Sequence, residues 1–389
     1  MKILGIVAEY DPFHNGHLYH LREARARSSP DLTYVVLSPC FKQRGTLALL
    51  SPFDRARCAL ESGADAVFSL PVLWTVRDAE HYALGAVSLL AGLGVTHLAF
   101  GAETADPELL SRTADFLESP DSVFESVLKS LLSSGYGYPA AVSAALSAAL
   151  PEAAGLLDQP NNTLAVCYLR AVRRLGLSLQ PVVIPRRGSY HAASVDPESP
   201  SATALREHLD RGSYTAAFRA MPETSVCLLR RRFLEGRVPD RRILDILLIS
   251  GLRSMSADTY RQLPGLSEGM ENALYRTAST VNTREELLSA LSGKRYPAAR
   301  ISRLCACVLL GVTGAQLDGL PLPESTLLLG LRKNPSMTVL WKDLRVSVIP
   351  SASEWQKTAH PADLSAWRLW ARCCGLPDTL PCSEKTVTL

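Results

Sequence analysis

Lys2-Ile3-Leu4-Gly5-Ile6-Val7-Ala8 runs directly into Glu9-Tyr10-Asp11-Pro12-Phe13-His14-Asn15-Gly16-His17 near the start of the chain. The first seven residues form a short apolar run containing β-branched side chains, of the length of a buried strand. Leu18, Leu21 and Ala24 then recur at the spacing of a helix face. Residues 9–17 are therefore a strand-to-helix loop. In an open parallel sheet, ligands bind beyond the carboxyl ends of the strands, where such loops and helix N-termini converge. The candidate site lies here.

Outward from this unit the pattern repeats. Tyr34–Leu37 reads as a second strand, Ala66–Leu70 as a third stopped by Pro71, and His97–Phe100 as a fourth. A helix over 54–62 ends at Gly63, and another over 79–92 is closed by Gly92 and Gly94. A helix at about 162–175 precedes the apolar run Pro181–Ile184, which adds a fifth strand late. Strands alternating with helices imply right-handed βαβ units and a parallel sheet covered on both faces. The expected fold is α/β, a Rossmann-like doubly wound parallel sheet. Its catalytic domain spans 1–220 and carries an Ala/Ser/Leu-rich helical insertion at about 106–157. Beyond Arg206, helical segments near 204–219, 240–253, 268–280, 284–292 and 297–310 are broken by Pro and Gly. Residues 221–389 are expected to form an α-rich second domain, with a short strand at Val346–Ile349 and a frayed end at Ser383–Leu389.

Composition narrows the function classes. With 389 residues, 47% of them hydrophobic and 20% charged, the chain is neither disordered nor fibrous. A net charge of +3 neither requires nor excludes nucleic acid; clustering of the positive charge decides. No run of 18 apolar residues argues for a membrane span. The opening residues carry one Lys and soon meet Glu9 and Asp11, unlike a signal peptide, so a cytoplasmic enzyme is expected. The nine cysteines form no CxxC pair and read as reduced, mostly buried thiols.

His14 and His17 flank Gly16 at the expected helix start, so both imidazoles leave the same end of the helix, beside backbone N–H groups and the positive end of the dipole. That suits a polyphosphate: peptide donors cradle its oxygens, and the imidazoles hydrogen-bond them or bring positive charge. Gly16 lets a phosphate approach the backbone closely. A G-x-G-x-x-G string is absent from this loop, which argues against a dinucleotide. A pair of caps or of metal ligands is the plainer reading of two such histidines.

The H-x-G-H string after a first strand resembles the nucleotidyltransferase superfamily of adenylyltransferases, pantothenate synthetases and class I aminoacyl-tRNA synthetases. The whole of Gly5–His20 is more similar to one family, the bacterial tRNA(Met) cytidine acetate ligases. The resemblance extends through Ser38–Gly45, Gly63-Ala64-Asp65, Leu70-Pro71, Phe100-Gly101-Ala102-Glu103, Pro160-Asn161-Asn162, Tyr190-His191 and Ser201–Arg206. In the tail it includes Glu268–Asn272 and Lys294-Arg295-Tyr296 with Arg300 and Arg303.

This resemblance implies a ligase. Acetate attacks the α-phosphate of ATP to give acetyl-adenylate and pyrophosphate; the acetyl group then passes to N4 of the wobble cytidine of elongator tRNA(Met), forming N4-acetylcytidine. It implies His14 and His17 as the catalytic phosphate clamp. ATP contacts are implied along Val7, Ala8, Glu9, Tyr10, Asp11, Pro12, Phe13, His14, Asn15, Gly16, His17, Leu18, Tyr19 and His20. Gly101, Asn161 or Asn162, and Arg186 or Arg187 complete the nucleotide set. Mg2+ is expected on the pyrophosphate without identifiable protein ligands. This chain departs from the family at Asp11, where Asn is usual, bringing a negative charge toward the triphosphate. It also departs at Pro39, Cys40 and Ser69, the first two of which bear on the acyl pocket.

Positive charge is clustered. Lys42 and Arg44 follow the second strand and face the same sheet edge, while Lys294, Arg295 and Arg300 accompany Tyr296, a ring able to stack on a base. These are the candidate tRNA contacts; Arg230, Arg231, Arg232, Arg237, Arg241 and Arg242 form a second cluster. Either set also reads as a solvated helix face. Ser201–Arg206 is first a capping signal, with Thr203 or Arg206 as candidate phosphate ligands. His81, His97, His208 and His360 are expected to be structural, and Trp341, Trp355, Trp367 and Trp370 core. Two other functions fit the loop: an adenylyltransferase acting on a small metabolite without RNA, and a non-catalytic nucleotide sensor or RNA-binding protein.

Overall fold

The computed structural model describes residues 1–186, 196–266, 269–293, 295–333, 341, 344–379 and 384–389. Five strands, β1 (Ile3–Ala8), β2 (Leu32–Leu37), β3 (Ala66–Ser69), β4 (His97–Ala102) and β5 (Gln180–Pro185), lie parallel in the order β5-β4-β1-β2-β3. The sheet is Rossmann-like and doubly wound. Its order reverses between β1 and β4, and the loop at residues 9–14 opens at that point.

Helices cover both faces because the strands are apolar on both sides. In β2, Val35 and Leu37 enter the core beneath helices α1 (Asn15–Ser28) and α2 (Pro52–Glu61), while Tyr34 and Val36 enter the opposite core. That second core packs against α4 (Ala79–Gly92), which follows the short α3 (Val72–Thr75). Alternation with period two divides one strand between two cores. Gly5 of β1 is required by close packing: a Cβ there would lie 2.7 Å from Val95 Cγ1. The insertion comprises α5 (Pro107–Glu118), α6 (Ser122–Ser133) and α7 (Tyr138–Ala149), which lead to α8 (Pro160–Arg174) on the same face. Next come α9 (Ala202–Asp210), α10 (Tyr214–Arg219) and α11 (Glu223–Leu234).

The later chain divides. Helices α12 (Arg241–Ser254), α13 (Ala257–Arg261), α14 (Met270–Ala278), α15 (Arg284–Leu291) and α16 (Ala298–Leu310) enclose a separate small core that includes Leu252, Leu274, Leu287 and Leu304. The chain then returns to the first sheet. Strand β6 (Ser325–Leu331) pairs antiparallel with β3, while β7 (Ser347–Ile349) and β8 (Val387–Thr388) each pair with β6. The boundary expected near residue 220 therefore does not separate the sheet, which takes strands from both sides of it. The expected short strand at 346–349 is present as β7. The end expected to fray is held: Leu389 N–H donates to Leu331 O (3.1 Å), and Lys333 N–H donates to Leu389 O (2.8 Å).

The helix Pro361–Cys373 also returns to the first core. Trp367 meets Phe53 edge to face with centroids 5.4 Å apart, and Trp370 Nε1 donates to Ala48 O (2.9 Å). Trp355 is buried beside them and Trp341 Nε1 reaches the Tyr34 hydroxyl, so these tryptophans are packing residues. Of the described cysteines, seven are buried free thiols and Cys227 is exposed. Burial pushes the Cys58, Cys305 and Cys307 thiols up to about 12. Among the described residues, no helix is long and apolar enough to cross a membrane.

Candidate active site

A cavity of about 320 Å3 opens at the carboxyl ends of β1, β4 and β5. Val7, Ala8, Glu9, Tyr10, His14, Gly16, His17, Tyr19 and His20 line it from the first βα unit, with Gly101, Asn161 and Arg186 opposite. Asp11, Pro12, Phe13, Asn15, Leu18 and Asn162 are not on its wall. Arg187, Tyr190, His191, Glu268 and Lys294 lie outside the described residues.

Helix α1 begins at Asn15, with His14 as its N-cap. The His17 N–H donates to His14 Nδ1 (3.3 Å), and the His14 N–H donates to His17 Nδ1 (3.3 Å), a reciprocal capping box built from two imidazoles. The rings stack with centroids 3.6 Å apart and planes 19° apart. An Nδ1 that accepts leaves the proton of a neutral imidazole on Nε2, so each ring keeps an N–H donor at its far edge. Burial, with the Arg186 and Arg206 guanidiniums, pushes the His14 imidazole down to about 3; burial and the neighbouring His14 and Arg186 hold His17 well below its ordinary value. Burial and Arg186 likewise bring His20 to about 4. Both rings are therefore held neutral, each with an Nε2–H donor, and the arginines carry the positive charge.

The free first-turn amides expected from the sequence are mostly engaged. Asn15 N–H donates to Ala220 O (2.9 Å), and the Asn15 amide donates to Pro197 O (2.8 Å), so Asn15 ties α1 to the later chain. The capping box consumes the His17 amide. Gly16 remains the close-approach position: a Cβ on it would meet His14 Cε1 at 3.0 Å, tighter than ordinary contact, so the ring would have to shift.

Asp11 does not bring charge to the cavity, contrary to the expectation from sequence. It is 1% exposed; Oδ1 accepts from Leu49 N–H (2.6 Å), Oδ2 pairs with Lys42 Nζ (2.7 Å), and its carbonyl accepts from Arg206 (2.6 Å). Burial pushes its carboxyl up, but Lys42, Arg206 and Arg55 together hold it down at about 2. Lys42 is correspondingly 4% exposed on the cavity wall and does not present a surface to an RNA backbone. Behind this wall lies Arg55, a residue the sequence reading passed over. It is 0% exposed and donates to the carbonyls of Glu9 (2.6 Å), Ser38 (2.9 Å), Leu50 (3.1 Å) and Pro39. One guanidinium thus gathers the main chain beyond both β1 and β2. Pro39 and Cys40 sit behind the cavity, off its wall.

At the opposite side, Glu103 holds the start of α8. Its carboxylate accepts from Asn162 N–H (2.8 Å) and from the Asn161 side chain, and Asn161 Oδ1 accepts from Arg186 (3.0 Å). Asn162 turns away and accepts from Thr104 N–H (2.9 Å). Of Asn161 and Asn162, Asn161 reaches the cavity, and Arg186 lines it as well. Ser201 Oγ accepts from Ala204 N–H (3.1 Å), the expected cap, while Thr203 and Arg206 line the wall.

The cavity rim meets the α-rich part of the chain. Gly45, at φ +72°, lies against α16, where a Cβ would fall 2.4 Å from Ser302 O and 2.7 Å from Arg303 Cα. Exposed Arg44 flanks that contact on the cavity wall. Farther along, the Tyr296 ring carries the Arg300 guanidinium at 5.1 Å and the exposed Arg295 at 5.7 Å, while Arg300 also donates to Gly265 O. The second basic cluster is internally paired: Arg232 forks onto Asp54 (2.9 and 2.7 Å), Arg231 meets Glu235, Arg237 meets Glu384, and Arg241 meets Asp210. These four arginines are thus tied to neighbouring carboxylates.

A family model described as HIGH Nucleotidyl Transferase matches residues 1–372. The tRNA(Met) cytidine acetate ligase of Acetivibrio thermocellus is 33% identical over 377 residues, covering 93% of this chain and 91% of that protein. Crystal structures of Thermotoga maritima TmcAL match over the whole of both chains. The apo form I has a TM-score of 0.94 and 29% identity, and form II, bound with α-thio ATP, has 0.89 and 28%. The same doubly wound sheet, the H-x-G-H turn at its switch point and identity along nearly the entire length agree: the chain belongs to the HIGH nucleotidyltransferases and, within them, to the tRNA(Met) cytidine acetate ligase family.

Proposed function

We propose that this chain condenses acetate with ATP and transfers the acetyl group to N4 of the wobble cytidine of elongator tRNA(Met). The observation that carries this reading is the reciprocal histidine cap, which aims two neutral Nε2–H donors into a nucleotide-sized cavity between arginines. A carboxylate attacking an anionic phosphate is slow because like charges meet, so the site must spread charge and hold the attack in line. His14 and His17 donate to the phosphates, Arg186 and Arg206 neutralise them, and Gly16 admits an oxygen to the helix end. A carboxylate oxygen then bonds to the α-phosphorus while the bond to the pyrophosphate oxygen breaks with its electron pair. In the second step, cytidine N4 attacks the acyl carbon, AMP leaves, and N4 releases a proton.

Asn161 and Arg186, both on the cavity wall, would contact the nucleotide. Among the described residues, no group of three His, Cys, Asp or Glu side chains converges as a metal cage; Mg2+ would be carried by the triphosphate oxygens. Arg44, Arg295 and Arg300 would receive the tRNA backbone along the rim, with Lys294 beside them in sequence.

The test is transfer of label from [14C]acetate to tRNA by the purified protein with ATP. Labelled tRNA is expected; an adenylylated small molecule accumulating equally without RNA would favour the metabolite adenylyltransferase. Gly101 supplies a separate check on the nucleotide position. A Cβ there meets His20 Cδ2 at 3.7 Å and Ile184 O at 3.9 Å, so a larger side chain enters the cavity without strain on the backbone. Gly101→Leu is expected to weaken ATP binding about tenfold or more while leaving Tm near that of the parent. Calorimetric titration and thermal melting check both halves.

A further inference from the structure

Lys42 lines the cavity, and its ammonium donates to Asp11 Oδ2 (2.7 Å), its hydrogen-bond partner among the described residues. An ammonium has three N–H donors. A second oxygen ligand is therefore expected from the cavity, since a buried donor without an acceptor is costly. The position is built firmly. Asp11 is itself held by Leu49 N–H and flanked by Arg206. The turn bearing Lys42 is closed by Lys42 N–H to Thr46 O (2.9 Å) and Gly45 N–H to Lys42 O (2.8 Å), and is seated on α16 through Gly45.

The wall beside Lys42 distinguishes between the anions of the reaction. Glu9 lines the same part of the cavity, its Oε1 fixed by Gln43 N–H (2.7 Å). A carboxylate there repels a triphosphate, whose charge is already met by Arg186, Arg206 and the histidine donors, but tolerates a singly charged acid bound to a cation. We propose that Lys42, positioned by Asp11, binds the carboxylate of the acyl substrate through the oxygen that does not attack phosphorus. This rests on the acetate-activating reading above. Holding one oxygen directs the other toward the α-phosphate, and the contact weakens once the acid becomes the carbonyl of a mixed anhydride, freeing the acyl group for transfer. Asp11 is a positioning residue.

Pyrophosphate release by the full-length protein, with ATP, acetate and tRNA, tests this. In Lys42→Met, KM for acetate should rise about tenfold or more, with KM for ATP nearly unchanged. That variant leaves Asp11 buried without its partner and risks unfolding. Asp11→Asn/Lys42→Met removes both charges together, keeps an acceptor for Leu49 N–H, and should show the same split with a near-parental melting temperature. A matching rise in KM for ATP would assign Lys42 to the phosphates, and two unchanged KM values in the folded double variant would make it a structural ion pair; either result overturns the proposal. Wild-type protein that releases no pyrophosphate with any small carboxylic acid would defeat the acetate-activating reading, and the proposal with it.

Discussion

Exchange of His14 for Asn leaves a folded protein whose rate of acetate-dependent pyrophosphate release falls by about 10²–10³-fold, the cost of removing one donor from an electrostatically organised site. Asn suits this test because it is among the best N-cap residues. It preserves an acceptor for the His17 N–H, now made by His14 Nδ1, and removes the Nε2–H that the cavity receives. His14→Ala removes cap and donor together, and so mixes a stability effect of about 1 kcal/mol with the catalytic one. Because the rings are neutral in the free protein, the wild-type kcat/KM for ATP should show no imidazole titration near pH 6.5. Rapid-quench measurement of pyrophosphate at saturating ATP reads the loss. An undiminished rate in His14→Asn would remove His14 from the reaction.

The largest structural effect is expected at Arg55. Substitution by Met keeps bulk but strands four carbonyl oxygens, those of Glu9, Ser38, Pro39 and Leu50, behind the cavity wall. Each buried acceptor left alone costs about 1–3 kcal/mol. Asp11 also loses one of the cations that hold it ionised. A combined loss of at least about 4 kcal/mol is expected, a large share of the 5–15 kcal/mol typical of a folded domain. Arg55→Lys should recover little, since an ammonium cannot reproduce the guanidinium fork. Urea denaturation followed by tryptophan fluorescence measures this, with Trp367 lying against Phe53 on the same helix as Arg55. A midpoint unchanged in Arg55→Met would show that the loop carbonyls find other donors.

The contrast between these residues shows what the sequence could disclose. His14 and His17 stand three apart after an apolar run, and that spacing alone brings two rings to one helix end. The five parallel strands were legible for a similar reason: β2 and its neighbours are short apolar runs between helices. Arg55 offered a fainter sign, since it stands on the helix face shared with Cys58 and Ala59, both buried. Its acceptors come from the two loops that follow β1 and β2, up to 46 positions away, and have no local signature. Strand β6 was hidden by composition. Ser-Thr-Leu-Leu-Leu-Gly-Leu has one β-branched residue and sits in a domain expected to be α-rich, and its antiparallel partner β3 commits it to a strand. Lys42 looked like a surface cation because a loop does not reveal which side chains fold inward; its partner Asp11 lies 31 positions away.

The late return of β6 to the edge of β3 has a consequence for biosynthesis. A growing polypeptide that has left the ribosome only as far as α16 still presents β3 as an uncovered margin with unpaired amides and carbonyls. The nucleotide-handling half therefore stays incomplete until almost the last residues emerge, and a gene truncated after codon 220 would encode a sticky fragment, not a minimal enzyme.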